Sequence, residues 1–174
     1  LVHYGLPPWI EGAFLNPDYP AYVADYAARL AERFRGRITW YTPLNEPRIT
    51  AWYCGRLGWW PPFRKSWRGF VATMMAICRG IVATIRALQR VDSDIVCYHV
   101  DATDIYQTDD PALAGEAERR QEIVFLALDL ISGRVNSPTR SASPPRAGRS
   151  TPGPTSCRPS PSTTPAPRPP PASS

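Results

Sequence analysis

The chain has 174 residues, 43% of them apolar, with 20 Lys and Arg against 15 Asp and Glu. That length suits one ordinary domain and excludes two large ones. No run of roughly 18–20 uninterrupted apolar residues occurs, so no membrane span is expected. The opening Leu1-Val2-His3-Tyr4 has neither the basic stretch nor the apolar core of a leader, so none is expected there.

The basic excess is local. Beyond Ser137 there are five arginines (Arg140, Arg146, Arg149, Arg158 and Arg168) and no acid, whereas the residues before it are balanced. A nucleic-acid surface needs cations clustered on a folded face, so no nucleic-acid partner is expected. Cys54, Cys78, Cys97 and Cys157 lie far apart, without a C-x-x-C pair. A zinc site needs closely spaced ligands, so no metal is expected. Nothing in the cysteine spacing marks an oxidising compartment, and a cytoplasmic location is expected over a secreted one.

In chain order, Val2-His3-Tyr4 reads as the end of a strand. The turn Asn16-Pro17-Asp18 then opens a helix, with Asp18 placed to accept its first free N–H groups. Tyr22, Tyr26, Leu30 and Phe34 recur every fourth residue, flanked by Val23 and Ala27, and predict one buried stripe. Gly36 ends that helix where a left-handed cap is cheap. Residues 37–42 are short, β-branched and aromatic, and predict a strand. Residues 66–90 predict a long helix buried through Phe70, Met74, Ile77, Ile81, Ile85 and Leu88. Residues 94–100 predict another strand, and 111–131 one amphipathic helix buried through Ile123, Phe125, Leu126 and Leu130.

From Pro138 to Ser174 there are 12 Pro and 13 Ser or Thr in 37 residues, and no Val, Ile, Leu, Met, Phe, Trp or Tyr. Such a segment buries too little apolar surface to offset its ordering entropy, so 136–174 is expected to be a disordered low-complexity tail. It reads as a flexible tail, as a Pro/Ser/Thr linker, or as a sequence translated out of frame. Its abrupt onset and its Arg without Lys favour the last.

Strands alternating with helices predict parallel βαβ units, hence an α/β fold with about three such units over 1–135. The pattern alone does not separate an open doubly wound sheet from part of a (β/α)8 barrel. No G-x-G-x-x-G follows a strand, so no dinucleotide cofactor is expected.

The segment richest in chemistry is Thr42-Pro43-Leu44-Asn45-Glu46-Pro47. It follows a strand directly and so falls at the carboxyl end of the sheet. Pro47 disfavours the α region for Glu46, which predicts an extended Glu at the strand end. Asn45 is both donor and acceptor beside that carboxyl, suited to a sugar hydroxyl. A glycosidase needs one carboxyl to protonate the leaving oxygen and a second to attack or to activate water. Glu46 suits the first task, and an ordinary turn Glu before Pro is the plain alternative.

His3-Tyr4-Gly5-Leu6-Pro7-Pro8-Trp9, Phe14-Leu15-Asn16-Pro17-Asp18, Tyr26-Ala27, the 42–47 segment and Gly55-x-x-Gly58-x-x-Pro61-Pro62 break the tie. In order and spacing these resemble glycoside hydrolase family 1, the β-glucosidase family, over about 1–135. The resemblance implies a partial (β/α)8 TIM barrel acting on a small β-glycoside with retention of configuration, without cofactor or metal. It places Glu46 as acid/base, Asn45 at the sugar 2-hydroxyl, and His3 with Tyr4 on hydroxyls of the non-reducing sugar. A satisfied core histidine is the alternative for His3.

There are departures. Gly5 stands where many members carry Asp, and Asp101-Ala-Thr-Asp104 is not assigned to a family pattern. Asp101 stands at a strand end where it could face a cleft, but solvation or helix capping is the stronger expectation. The resemblance ends near Val135, before the family's nucleophilic Glu. These residues alone are therefore expected to show no glycosidase activity and to expose one uncovered apolar sheet face. A non-catalytic carbohydrate-binding remnant is the alternative, and the oligomeric state stays open.

Overall fold

The computed structural model describes residues 1–3 and 5–135. Tyr4 and the expected tail, 136–174, lie outside the described residues. Within them the chain is α/β and rich in helix.

The sheet is short. Strand β1, Trp40–Tyr41, pairs in parallel with β2, Val96–Cys97, setting Trp40 opposite Val96 and Tyr41 opposite Cys97. Two parallel bridges extend it, Val2 to Leu44 and Asn45 to Val100. Three extended segments thus lie side by side in chain order. The expected strand 37–42 shrinks to two residues of regular ladder, followed by Pro43, which has no N–H to donate. The Pro43 carbonyl still accepts from Val2 N–H at 3.2 Å.

Helix α1 is Tyr19–Arg33. Asp18 stands at its N-cap without a side-chain bond, and Asn16 Oδ1 instead accepts from the Asp18 N–H at 2.9 Å. The buried stripe is Tyr19, Val23, Ala27 and Ala31. The expected Tyr22 and Tyr26 are 39% and 52% exposed. Spacing favoured the large rings, but α1 lies against a long neighbour and small side chains allow the close approach.

That neighbour is α3, Trp67–Val91, capped by Ser66 Oγ accepting from Gly69 N–H at 2.9 Å. Its buried face runs through Phe70, Met74, Ile77, Ile81 and Leu88 as expected, while Ile85 is half-buried against the same core. By length and composition this helix is apolar enough to cross a bilayer, with mean hydropathy 1.6 over 18 residues. A count of uninterrupted apolar residues misses it because Arg79 and Arg86 interrupt the run. Half of that window is buried inside the protein, chiefly against α1.

The expected helix 111–131 is broken. A 3-10 turn, Pro111–Leu113, leads into α4, Ala114–Glu122, and α5, Leu126–Ile131, follows after a gap. In the gap, bonds span three residues, Val124 N–H to Gln121 O and Leu126 N–H to Ile123 O, both 3.2 Å. The tighter winding puts Val124 and Ala127 into the core and leaves Phe125 55% exposed, outside its expected stripe.

Side chains alternate along the strands. Tyr41, Leu44 and Ile95 are buried, and Val2 and Leu44 join the cluster formed with α1 and α3. On the opposite face Trp40, Val96, Tyr98 and Val100 are exposed, with the Trp40 and Tyr98 rings edge to face at 5.5 Å. Parallel sheets are ordinarily covered on both faces. Among the described residues this one is covered on one.

A short helix α2, Pro47–Ala51, and a π-helical turn, Trp52–Leu57, connect β1 to α3. The α1–α3 contact leaves no room for a side chain where Gly80 meets Tyr19: a Cβ at Gly80 would stand too close to Tyr19 Cε1. Gly80→Ala is expected to lose about 1–3 kcal/mol by overpacking, read by urea unfolding. Gly5→Ala, with nothing within 4 Å of its Cβ, should stay within about 0.5 kcal/mol of the parent. Equal effects of the two substitutions would contradict this packing.

Candidate functional site

The 42–47 segment is fixed by backbone bonds on both sides. Asn45 N–H donates to the Val2 carbonyl and Glu46 N–H to the Val100 carbonyl, each at 2.9 Å. The first and third extended segments are thus tied to consecutive residues of the second. Pro47 then opens α2 with its φ already suited to a first helical turn. The Glu46 carbonyl accepts the first helical bond, from Thr50 N–H at 2.9 Å.

Glu46 joins the two elements at φ 48° and ψ 64°. Pro47 was expected to make it extended. The residue does avoid the right-handed region, but the abrupt passage from strand to helix puts it in the left-handed one. That conformation costs a non-glycine residue of order 1–3 kcal/mol and is found preferentially at functional sites.

The side chains at this end come together. Asn45 Nδ2 lies 3.0 Å from His3 Nε2. An amide nitrogen only donates, so the imidazole accepts at Nε2 and carries its proton on Nδ1. His3 is exposed, and Asn45 and Glu46 are half-buried. Tyr4 lies outside the described residues. No hydrogen bond or ion pair among the described residues engages the Glu46 carboxylate. The arrangement offers a carboxyl able to give or take a proton, beside an amide and an imidazole able to hold hydroxyl groups.

Sequence reasoning missed a second cluster. Arg48, 3% exposed, donates from Nη1 to Tyr106 OH at 3.1 Å and from Nη2 to the Ala102 carbonyl at 3.0 Å, and Nη2 also pairs with Asp104 Oδ2. Tyr106 OH donates to the same Asp104 oxygen at 3.0 Å. The Arg48 bond, then that from Tyr106, hold the Asp104 carboxyl below its usual range. Together they lock α2 to the loop after β2. Neither the burial of Arg48 nor its partners, 54–58 residues further on, left a local signal in the sequence.

Asp101 is neither solvated nor a helix cap. Its side chain is 8% exposed; Oδ1 accepts from Ala102 N–H at 3.0 Å, and Oδ2 lies 3.7 Å from His99 Nε2. Burial pushes the Cys54 and Cys78 thiols up to about 12 each, so neither is a ready nucleophile. Among the described residues no three His, Cys, Asp or Glu side chains gather as a metal cage.

No family model matches the chain. In fold it is similar to the crystal structure of the AHE enzyme from Alicyclobacillus herbarius, with a TM-score of 0.61 and 24% identity over 71% of this chain. At that identity the likeness shows the fold alone. The chain spans 29% of the length of that enzyme.

The left-handed Glu46 makes a measurable claim. Glu46→Gly should be more stable than Glu46→Ala by about 1 kcal/mol in denaturant unfolding, because only glycine adopts this region without cost. In a helix interior or an extended strand the order is reversed. Ala above Gly would contradict the observed backbone.

Proposed function

We propose that the chain is part of a retaining β-glycosidase of the glycoside hydrolase family 1 type, with its extended segments forming consecutive strands of a (β/α)8 barrel. The observation that carries this reading is the Asn45–His3 contact beside a left-handed Glu46 at one end of the sheet. Two further facts support it. The segments run in sequence order with no reversal, as consecutive strands of a barrel do. The fold is similar to that of a larger protein that is itself an enzyme.

In this reading Glu46 protonates the oxygen that leaves with the aglycone, then takes a proton from the incoming water. Asn45 holds the 2-hydroxyl, where hydrogen bonds strengthen as positive charge develops at the anomeric carbon. His3, whose Nε2 accepts from Asn45, donates from Nδ1 to a hydroxyl of the same sugar, and the Arg48–Asp104–Tyr106 lock keeps α2 from shifting the acid. A glycoside is the partner, with neither cofactor nor nucleic acid. The second carboxylate, needed about 5–5.5 Å from the first, has no counterpart in the part of the chain that resembles the family.

Accordingly, 4-nitrophenyl β-glucoside should not be hydrolysed above the buffer rate, by the chain or by Glu46→Gln. The gene read in all three frames past the Val135 codon should continue into further βα units with a strand-end Glu. Hydrolysis that Glu46→Gln abolishes would show a second carboxylate within these residues. Three frames without such units would overturn the family assignment.

A further inference from the structure

A pocket of about 250 Å³ lies apart from the His3–Asn45–Glu46 cluster, and its walls include Arg48, Trp52, Tyr53, Trp59, Tyr106 and Arg120. We infer that it binds a small planar aromatic carboxylate, with the ring against Tyr53 and Trp59 and the carboxylate on the Arg120 guanidinium. The inference does not depend on the glycosidase reading.

The walls are aromatic. The Tyr53 and Trp59 rings lie 5.1 Å apart, tilted by 36°. The Trp52 ring has two cations near it, with Arg120 Cζ 5.2 Å and Arg56 Cζ 5.9 Å from its centre. Arg120 Cζ also lies 5.7 Å from the Tyr106 ring. Such stacking fixes the plane and place of the guanidinium before any ligand arrives.

The hydrogen-bonding character is one-sided. Arg120 Nε is taken by Glu116 Oε1 at 2.9 Å. Its two terminal nitrogens carry no hydrogen bond among the described residues, and they form the fork that matches a carboxylate. Tyr106 OH and both terminal nitrogens of Arg48 are already committed to one another, to Asp104 and to the Ala102 carbonyl. Among its lining side chains the pocket therefore has donors to spare, and the Tyr53 hydroxyl alone is left to accept. A sugar, whose hydroxyls need acceptors as well as donors, fits that inventory poorly, while a carboxylate needs donors only.

Charge and size agree with this. Two guanidiniums, Arg48 and Arg120, line the pocket, while their carboxylate partners Asp104 and Glu116 do not, and Glu116 is also engaged by Arg119 at 3.0 Å. A cavity of about 150 Å³ suffices for a benzene ring, so the volume here admits a ring with its carboxylate. The Arg48 lock makes the back wall rigid, so little ordering remains to be done on binding.

Isothermal titration of the full chain with benzoate and with its neutral isostere benzamide tests the inference. Benzoate should bind saturably and benzamide at least tenfold more weakly. Arg120→Gln should weaken benzoate at least tenfold with an unchanged circular dichroism spectrum, and Arg120→Lys, which keeps the charge and loses the fork, several-fold. Trp9→Ala, outside the pocket, should leave binding as in the parent. Should Arg120→Gln fail to fold, the benzoate-to-benzamide ratio on the unaltered chain decides. No saturable benzoate binding, equal binding of the two probes, or unaltered binding by folded Arg120→Gln would each overturn the inference.

Discussion

Two backbone hydrogen bonds set the rest in place: Asn45 N–H to Val2 O and Glu46 N–H to Val100 O. Because consecutive residues turn to opposite neighbours, the middle segment is clamped between the first and the third. The clamp fixes where the strand ends, and Pro47, with its φ preset for a first helical turn, opens a helix there. At that junction Glu46 takes the left-handed backbone in place of the extended one usual at a helix start. The same clamp brings His3, 42 residues away in sequence, against Asn45.

The remaining structure holds that clamp rigid. Helix α3 lies behind the strands, and α1 closes on it through Tyr19, Val23, Ala27 and Ala31. On the other side of Glu46, Arg48 is buried with Asp104 and Tyr106, tying the first turn of α2 to the loop beyond the third segment. A buried guanidinium is tolerable only with such partners, since an unpaired one would cost far more than its contacts return. The strand face turned away from the helices carries Trp40, Val96, Tyr98 and Val100 in the open. Apolar parallel strands of this kind belong to a fold that covers them on both sides.

Local rules read the long elements well and the junctions poorly. The spacing of Phe70, Met74, Ile77 and Ile81 identified α3 and its buried face, because a period of 3.6 residues is a property of the segment itself. The face of α1 was misjudged by one position because its choice depends on how near α3 comes, a tertiary matter that favoured Ala27 and Ala31 over Tyr22 and Tyr26. The break near Val124 has no marker in the sequence, since residues 116–131 contain neither Gly nor Pro. At Glu46 the proline rule excluded one backbone region without selecting among the others. Asn45 and Glu46 were legible as chemistry from their place after a strand, and His3 only through its resemblance to a family. The Arg48–Asp104 pair, 56 residues apart, left no signal short of the fold.

The meeting of His3 and Asn45 beside Glu46 is where structure and chemistry join, and nuclear magnetic resonance observes it directly. In ¹⁵N-labelled chain, His3 Nε2 should show the shift of an unprotonated acceptor, and methyl β-glucoside should move that nitrogen and the Asn45 side-chain amide together, at one apparent affinity. Resonances of both groups that stay in place at saturating glycoside would contradict a sugar-holding role for this end of the sheet.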